Sequence, residues 1–156
     1  MSNQFVQKAV NVSVSIRGCK CTEFSLSTFA IENKQIIPFD KYKFDFNLTI
    51  KVDGLQKHIS IEINSTLSAN SDSIQGLLAE LKSIHTFLVT NFDEIAIKTD
   101  QGMAVPEQAL PPLLGMAFSN IRGMFSVKLE NTIYENAILP IVDANKMLPQ
   151  KAPMLG

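Results

Sequence analysis

Between Tyr42 and Leu67 apolar and polar residues alternate almost without a break. Tyr42, Phe44, Phe46, Leu48, Ile50 and Val52 are separated by Lys43, Asp45, Asn47, Thr49 and Lys51. Asp53-Gly54 is a turn signal. Ile59, Ile61, Ile63 and Leu67 then alternate with His58, Ser60, Glu62 and Asn64. A period of two places each apolar set on one side of a strand. The two runs therefore predict an antiparallel hairpin with one apolar face that something must cover. Upstream, Val10, Val12, Val14 and Ile16 alternate with Asn11, Ser13 and Ser15. Gly18 marks a place for a bulge. Phe24 and Leu26 continue on even positions and Phe29 and Ile31 on odd ones, which predicts one long irregular strand or two pieces. Asn33 to Asp40, with Pro38, reads as a loop.

After Leu67, Ser68 to Gly76 is polar and loop-like. Ile84, Phe87, Leu88 and Val89 predict another strong strand, beginning near Ala79; a short helix over Ile74 to Leu81 is the other reading. Phe92 to Asp100 has room for one helical turn, and Gly102 to Pro106 reads as a connector. The period then changes. Leu110, Leu113, Leu114, Ala117, Ile121, Met124, Phe125 and Leu129 recur at helical steps, after Pro111 and Pro112 in the first turn, where proline costs little. Gly115, Ser119 and Gly123 share one stripe of that helix, with Ser126 close by. A mid-helix glycine costs about 1 kcal/mol relative to alanine. Two of them suggest a close neighbour, so Gly115, Ser119, Arg122, Gly123 and Ser126 are candidates for contact with a second copy. Packing on the chain's own sheet is the plainer alternative.

Ala137 to Val142 is an apolar, proline-bearing extended stretch, and Asp143 is placed to cap a short helix that Pro149 ends. Strands come first and helices last. The expected class is α+β: a four-stranded antiparallel sheet covered on one face by a long helix and a short C-terminal helix. One domain over residues 1–149 and a flexible tail over 150–156 are expected.

The chain has 156 residues, 46% hydrophobic and 19% charged, with a net charge of −1. That length holds a core. The absence of a basic excess argues against nucleic acid. No run reaches the ~18 apolar residues of a membrane span, and the opening residues lack a signal-peptide core, so a cytoplasmic protein is expected. Cys19 and Cys21 are poorly spaced for a disulfide within a strand, since alternate residues lie ~6–7 Å apart. Two thiols and two scattered histidines fall short of a zinc site, and no cofactor is indicated. No phosphate loop or G-x-S-x-G elbow occurs. His58 is expected on the solvated side of its strand; His85, in a partly buried strand near Thr86, is the better site candidate of the two, with a core or edge histidine holding one hydrogen bond as the commoner outcome. Asp93 and Glu94 fit the start of a helical turn, where acids are favoured. What remains is apolar material in loops and at strand ends. Phe87, Phe92, Met103, Val105, Ile133, Tyr134, Ile138 and Leu139 are candidates to line an adaptable groove. The alternative is that they finish the core.

The last third carries a resemblance. Leu110-Pro111-Pro112, Ala117, Ser119-Asn120 and Arg122-Gly123 resemble the main helix of the protein-export chaperone family SecB. Ile138-Leu139-Pro140-Ile141-Val142-Asp143 resembles that family's Leu-x-Pro-Val-Asn stretch, while the strands match in order and rhythm. The resemblance implies an ATP-independent holdase for unfolded polypeptides in protein export, not an enzyme. It implies a homotetramer, built as a dimer of dimers with the main helices between dimers. Clients would lie in long apolar grooves near the connector and final loop, with Ile138, Leu139 and Val142 as the carried-over loop positions. Family members are acidic, whereas this chain is near neutral and its tail holds one lysine, Lys151. The translocase motor ATPase is therefore the partner its charge supports least. A dedicated adaptor, such as a toxin–antitoxin-associated SecB-like protein, is the second reading. A thioesterase-like enzyme is the third, and the helix offers it only Ser119 and Ser126.

Overall fold

A computed structural model describes residues 10–27, 37–70 and 75–148. Four long strands form one antiparallel sheet: β1 Val14–Leu26, β2 Tyr42–Asp53, β3 His58–Asn70 and β4 Gln75–Val89, in the order β1-β4-β3-β2. The hairpin read from alternation is present, with Tyr42 opposite Ala69 and Asp53 opposite His58. Its turn is fixed by Asp53, whose Oδ1 accepts the backbone N–H groups of Leu55 at 3.0 Å and Gln56 at 2.9 Å. Lys57 takes a positive φ of 56° to re-enter the ladder.

Strand ends differ from expectation. The ladder of β1 starts at Val14 rather than Val10, and its register shifts between Ile16 and Gly18 and again between Cys21 and Glu23. The first shift lies beside the glycine expected to bulge. The loop expected over Ser68 to Gly76 is mostly strand, because Ser68, Ala69 and Asn70 pair with Leu77, Gly76 and Gln75. That pairing also excludes a helix over Ile74 to Leu81 and starts β4 before Ala79. Long-range pairing outweighs the polar, turn-rich composition there. Phe29, Ile31, residues 33–36 of the loop begun at Asn33, and residues 150–156 lie outside the described residues.

After β4 comes the expected helical turn, α1 Phe92–Ile95. The connector then makes a small unforeseen hairpin, β5 Ile97–Thr99 with β6 Gly102–Ala104. Strands of three residues are too short for periodicity to reveal. A single 3-10 turn, Glu107–Ala109, leads into the main helix α2 Leu110–Leu129. The short C-terminal helix is one 3-10 turn, Ala144–Met147, with Asp143 Oδ1 accepting Asn145 N–H at 3.1 Å as its cap.

Helix α2 lies on one sheet face. Leu110, Leu113, Leu114, Ala117, Phe118, Ile121, Phe125 and Leu129 are buried against Ile59, Ile61, Ile63, Leu67, Leu81 and Phe87. Edge-to-face ring pairs fix the helix over β2: Phe118 on Phe46 with centroids 4.9 Å apart, and Phe125 on Phe44 at 5.4 Å. Such pairs add about 0.5–1.5 kcal/mol each beyond area burial. The other sheet face is mostly polar, with half-buried Ile84 and Leu88 of β4 among its residues. Lys51 pairs with Glu62 at 2.6 Å and Lys82 with Glu23 at 2.9 Å, while His58, as expected, stands among its polar residues.

Candidate functional site

Helix α2 covers the first half of β2 and leaves the second half open. There Phe46, Leu48, Ile50 and Val52 form one wall of a groove of about 1160 Å³. Phe92 from α1, Met103, Ala104 and Val105 from the connector, and Leu110 at the head of α2 form the opposite wall. Met147 and Leu148 close one side. The β2 residues are only half-buried, so apolar surface is left facing water. Met103 rests on the Asp53–His58 turn through a missing side chain: a Cβ on Gly54 would stand 2.7 Å from Met103 Cγ. The small hairpin is thereby seated beside the sheet. Lys57, paired with Asp93, ties the same turn to α1.

The groove contains three of the nine residues singled out for it from sequence: Phe92, Met103 and Val105. Phe92 and Val105 are buried within that opposite wall and Met103 is exposed. Phe87 and Tyr134 are fully buried in the core. Tyr134 stacks edge-on against Tyr42, centroids 6.4 Å apart. Ile133 is half-buried. In the final loop Leu139 is 2% exposed and Ile138 75% exposed, so adjacent residues take opposite roles. Arg122 explains the alternation by holding the loop backbone: its Nε donates to Leu139 O at 3.0 Å and its Nη2 to Pro140 O at 3.2 Å. Leu139 is turned inward, while Ile138 and Ile141 are turned out. Leu48, Ile50, Val52, Leu110, Met147 and Leu148 were missed. The alternation of β2 named its apolar face, but only the strand order makes β2 an edge whose apolar face the helix leaves partly uncovered.

A second, shallower apolar depression of about 530 Å³ lies on the outer side of α2, between Ile16, Pro112, Gly115, Met116, Ser119 and the loop residues Ile141 and Val142. The small-residue stripe opens onto this side. Ser119, Gly123 and Ser126 are exposed, and a Cβ on Gly115 or Gly123 would meet nothing within 4 Å. Ser119 Oγ donates to Gly115 O at 2.9 Å, a bond within the helix.

His85 is a core histidine. Ser83 Oγ donates to Ile63 O at 3.5 Å, which leaves it to accept from His85 Nε2–H at 2.9 Å. The Nδ1 lone pair then faces Asn120 Nδ2 and Cys19 Sγ, each 3.5 Å away. Burial pushes the His85 pKa down to about 4 and the Cys19 thiol up from its ordinary value. Both shifts oppose a thiolate–imidazolium pair, the activated state of a cysteine nucleophile. Both cysteines are free thiols, as expected. Among the described residues no group of three or more His, Cys, Asp or Glu side chains is disposed to hold a metal, and no helix is long and apolar enough to cross a membrane.

A four-stranded antiparallel sheet with one long helix across one face, followed by a capped terminal turn, is a SecB-like fold. Among solved structures the chain is similar to the SecB-like chaperone Rv1957 of Mycobacterium tuberculosis, in complex with a ChAD peptide from the antitoxin HigA1 (Rv1956). The TM-score is 0.56 at 12% identity, over 83% of this chain and 89% of that one. No protein-family model matches the sequence. No curated protein matches it either.

Proposed function

We propose that this protein is an ATP-independent holdase that binds non-native polypeptides in its apolar groove and keeps them from aggregating. The observation that carries the reading is the groove beside β2, where Leu48, Ile50 and Val52 remain half-exposed opposite Met103 and Val105. An apolar wall of this kind substitutes for a client's own core, and many weak contacts give breadth without sequence specificity. The peptide-bound SecB-like neighbour supports the same reading. The protein acts in the cytoplasm, without cofactor or catalysis. It assembles into a homo-oligomer, a dimer of dimers, through the outer stripe of α2. The open space beyond Gly115 and Gly123 supports this, since no described part of the chain requires glycine there. Service to the translocase motor is the least supported part, because the polar sheet face mixes lysines with acids in pairs. The test is light scattering from a chemically unfolded, unrelated protein diluted into buffer without nucleotide. Suppression near one oligomer per client is expected; no suppression at large excess overturns the holdase.

A second reading is a dedicated adaptor for one partner. The antitoxin peptide bound to the SecB-like neighbour favours it. Several unrelated unfolded clients competing for the groove would decide for the holdase; capture of one folded or peptide partner alone would decide for the adaptor.

A further inference from the structure

The groove beside β2 is closed on one side by Met147 and Leu148, where the described residues stop. Both are half-buried against the core. Leu148 leaves the 3-10 turn with φ −63° and ψ 134°, an extended conformation. Pro149 follows, and a proline disfavours the helical conformation in the residue before it. The backbone is therefore delivered, extended, at the side of the groove. Residues 149–156 read Pro-Gln-Lys-Ala-Pro-Met-Leu-Gly. Pro149 and Pro153 disfavour helix and lack the N–H donors of a regular strand. Extended, a segment of that length reaches about 25 Å. The groove wall from Phe46 to Val52 runs about 20 Å, at ~3.4 Å per residue. Val10, Ser27, Ile37 and Asn70, which adjoin the other stretches outside the described residues, do not line the groove.

We infer that residues 149–156 fold back into the groove and occupy it until a client displaces them. The inference rests on the groove reading above and gives the groove a resident occupant, held by side chains rather than by backbone pairing. Charge and apolarity both fit. Of the charged residues lining the groove, Lys51 pairs with Glu62 and Asp93 with Lys57, which leaves Asp53 and Glu107 without a cation among the described residues. Residues 149–156 carry one lysine, Lys151, and no acidic side chain. Met154 and Leu155 suit a wall of half-buried Leu48, Ile50 and Val52 facing exposed Met103, since flexible apolar side chains adapt to irregular apolar surface. Each such contact is weak. A short tether compensates, because it holds the segment at an effective concentration on the order of millimolar. A client must then offer more apolar contact than Met154 and Leu155 do. The groove stays covered from water and from other copies, and opens to long unfolded segments.

A fluorophore-labelled synthetic peptide of residues 149–156 tests this by anisotropy. It is titrated with the full chain and with the full chain bearing Met154→Asp and Leu155→Asp, which keep the chain's length. The variant's own segment should leave the groove empty, so the variant is expected to bind the peptide at least ~10-fold more tightly than the full chain. Adding Leu48→Asp to the variant should remove that gain, which places the peptide in the groove. The variant should also suppress aggregation of an unfolded client at a lower ratio of chain to client. Equal affinity of the full chain and the variant, or a gain that Leu48→Asp leaves intact, overturns the inference, while suppression of aggregation by the full chain keeps the groove reading. A peptide bound by neither protein overturns it in the same way. Peptide binding as expected, with no suppression by either protein, removes the holdase and leaves the segment as the groove's occupant.

Discussion

Helix α2 separates two apolar surfaces of opposite form. On its inner side, the groove beside β2 is concave, walled by half-buried strand residues and by the connector. On its outer side, Ile16, Pro112, Ile141 and the small-residue stripe make a shallow, open surface. A concave wall surrounds an extended chain and contacts it from several directions. A shallow face with small residues along a helix suits the close approach of another rigid element. Under the proposed function the same residue types serve different partners, and shape decides which. Ile138 and Leu139, neighbours in sequence outside both surfaces, show the same dependence on position rather than residue type, one exposed and the other buried.

The largest expected effect separates those two. Leu139→Ala removes a core side chain and should cost about 2–5 kcal/mol, whereas Ile138→Ala should stay within about 0.5 kcal/mol; urea unfolding measures both. Next comes a charge on each surface. Leu48→Asp should lower client binding at least ~10-fold, the equivalent of about 1.4 kcal/mol, at unchanged native mass. Gly123→Leu should lower the native mass and leave groove affinity within about twofold. If either substitution produces the other's effect, the division between the surfaces is wrong.

Arg122→Ala should release the final loop. Two charge-assisted bonds to Leu139 O and Pro140 O are lost, and about 1.5 kcal/mol is expected because the bonds are partly exposed. Faster amide exchange over residues 137–142 would report it.

A pH dependence probes the buried histidine. His85 titrates near 4 in the fold and near 6.5 in an unfolded chain. Below pH 6.5 the unfolded state binds more protons, so stability falls as pH drops from about 6.5 to 4 and is unaffected by this group above that range. His85→Gln should flatten that part of the profile, measured by urea unfolding across pH.

Much of the fold was legible because periodicity is strong in long elements. The alternation of Tyr42 to Val52 and the helical steps of Leu110 to Leu129 each repeat often enough to fix type and face. β5 and β6 were not legible, since three residues carry no period. The start of β4 was lost to composition, because Ser68 to Gly76 reads as turn until its pairing partner is known. The site was less legible still. Phe87 and Tyr134 have the chemistry of a client-binding surface, but that chemistry equally suits a core, and depth is a tertiary property. Leu48, Ile50 and Val52 were assigned to the correct face, yet their exposure depends on β2 being an edge. Cys19 and His85 lie 66 positions apart, and only the β1–β4 register brings them together.

Site-specific photo-crosslinking reads out what each surface of the protein touches. A benzophenone side chain would replace Leu48 in the groove or Ile141 on the outer face, each in the full chain, mixed with an unfolded client and irradiated. The division between the two surfaces predicts client adducts from position 48 and adducts between copies of the chain from position 141. Client adducts from position 141 with none from position 48 would contradict it.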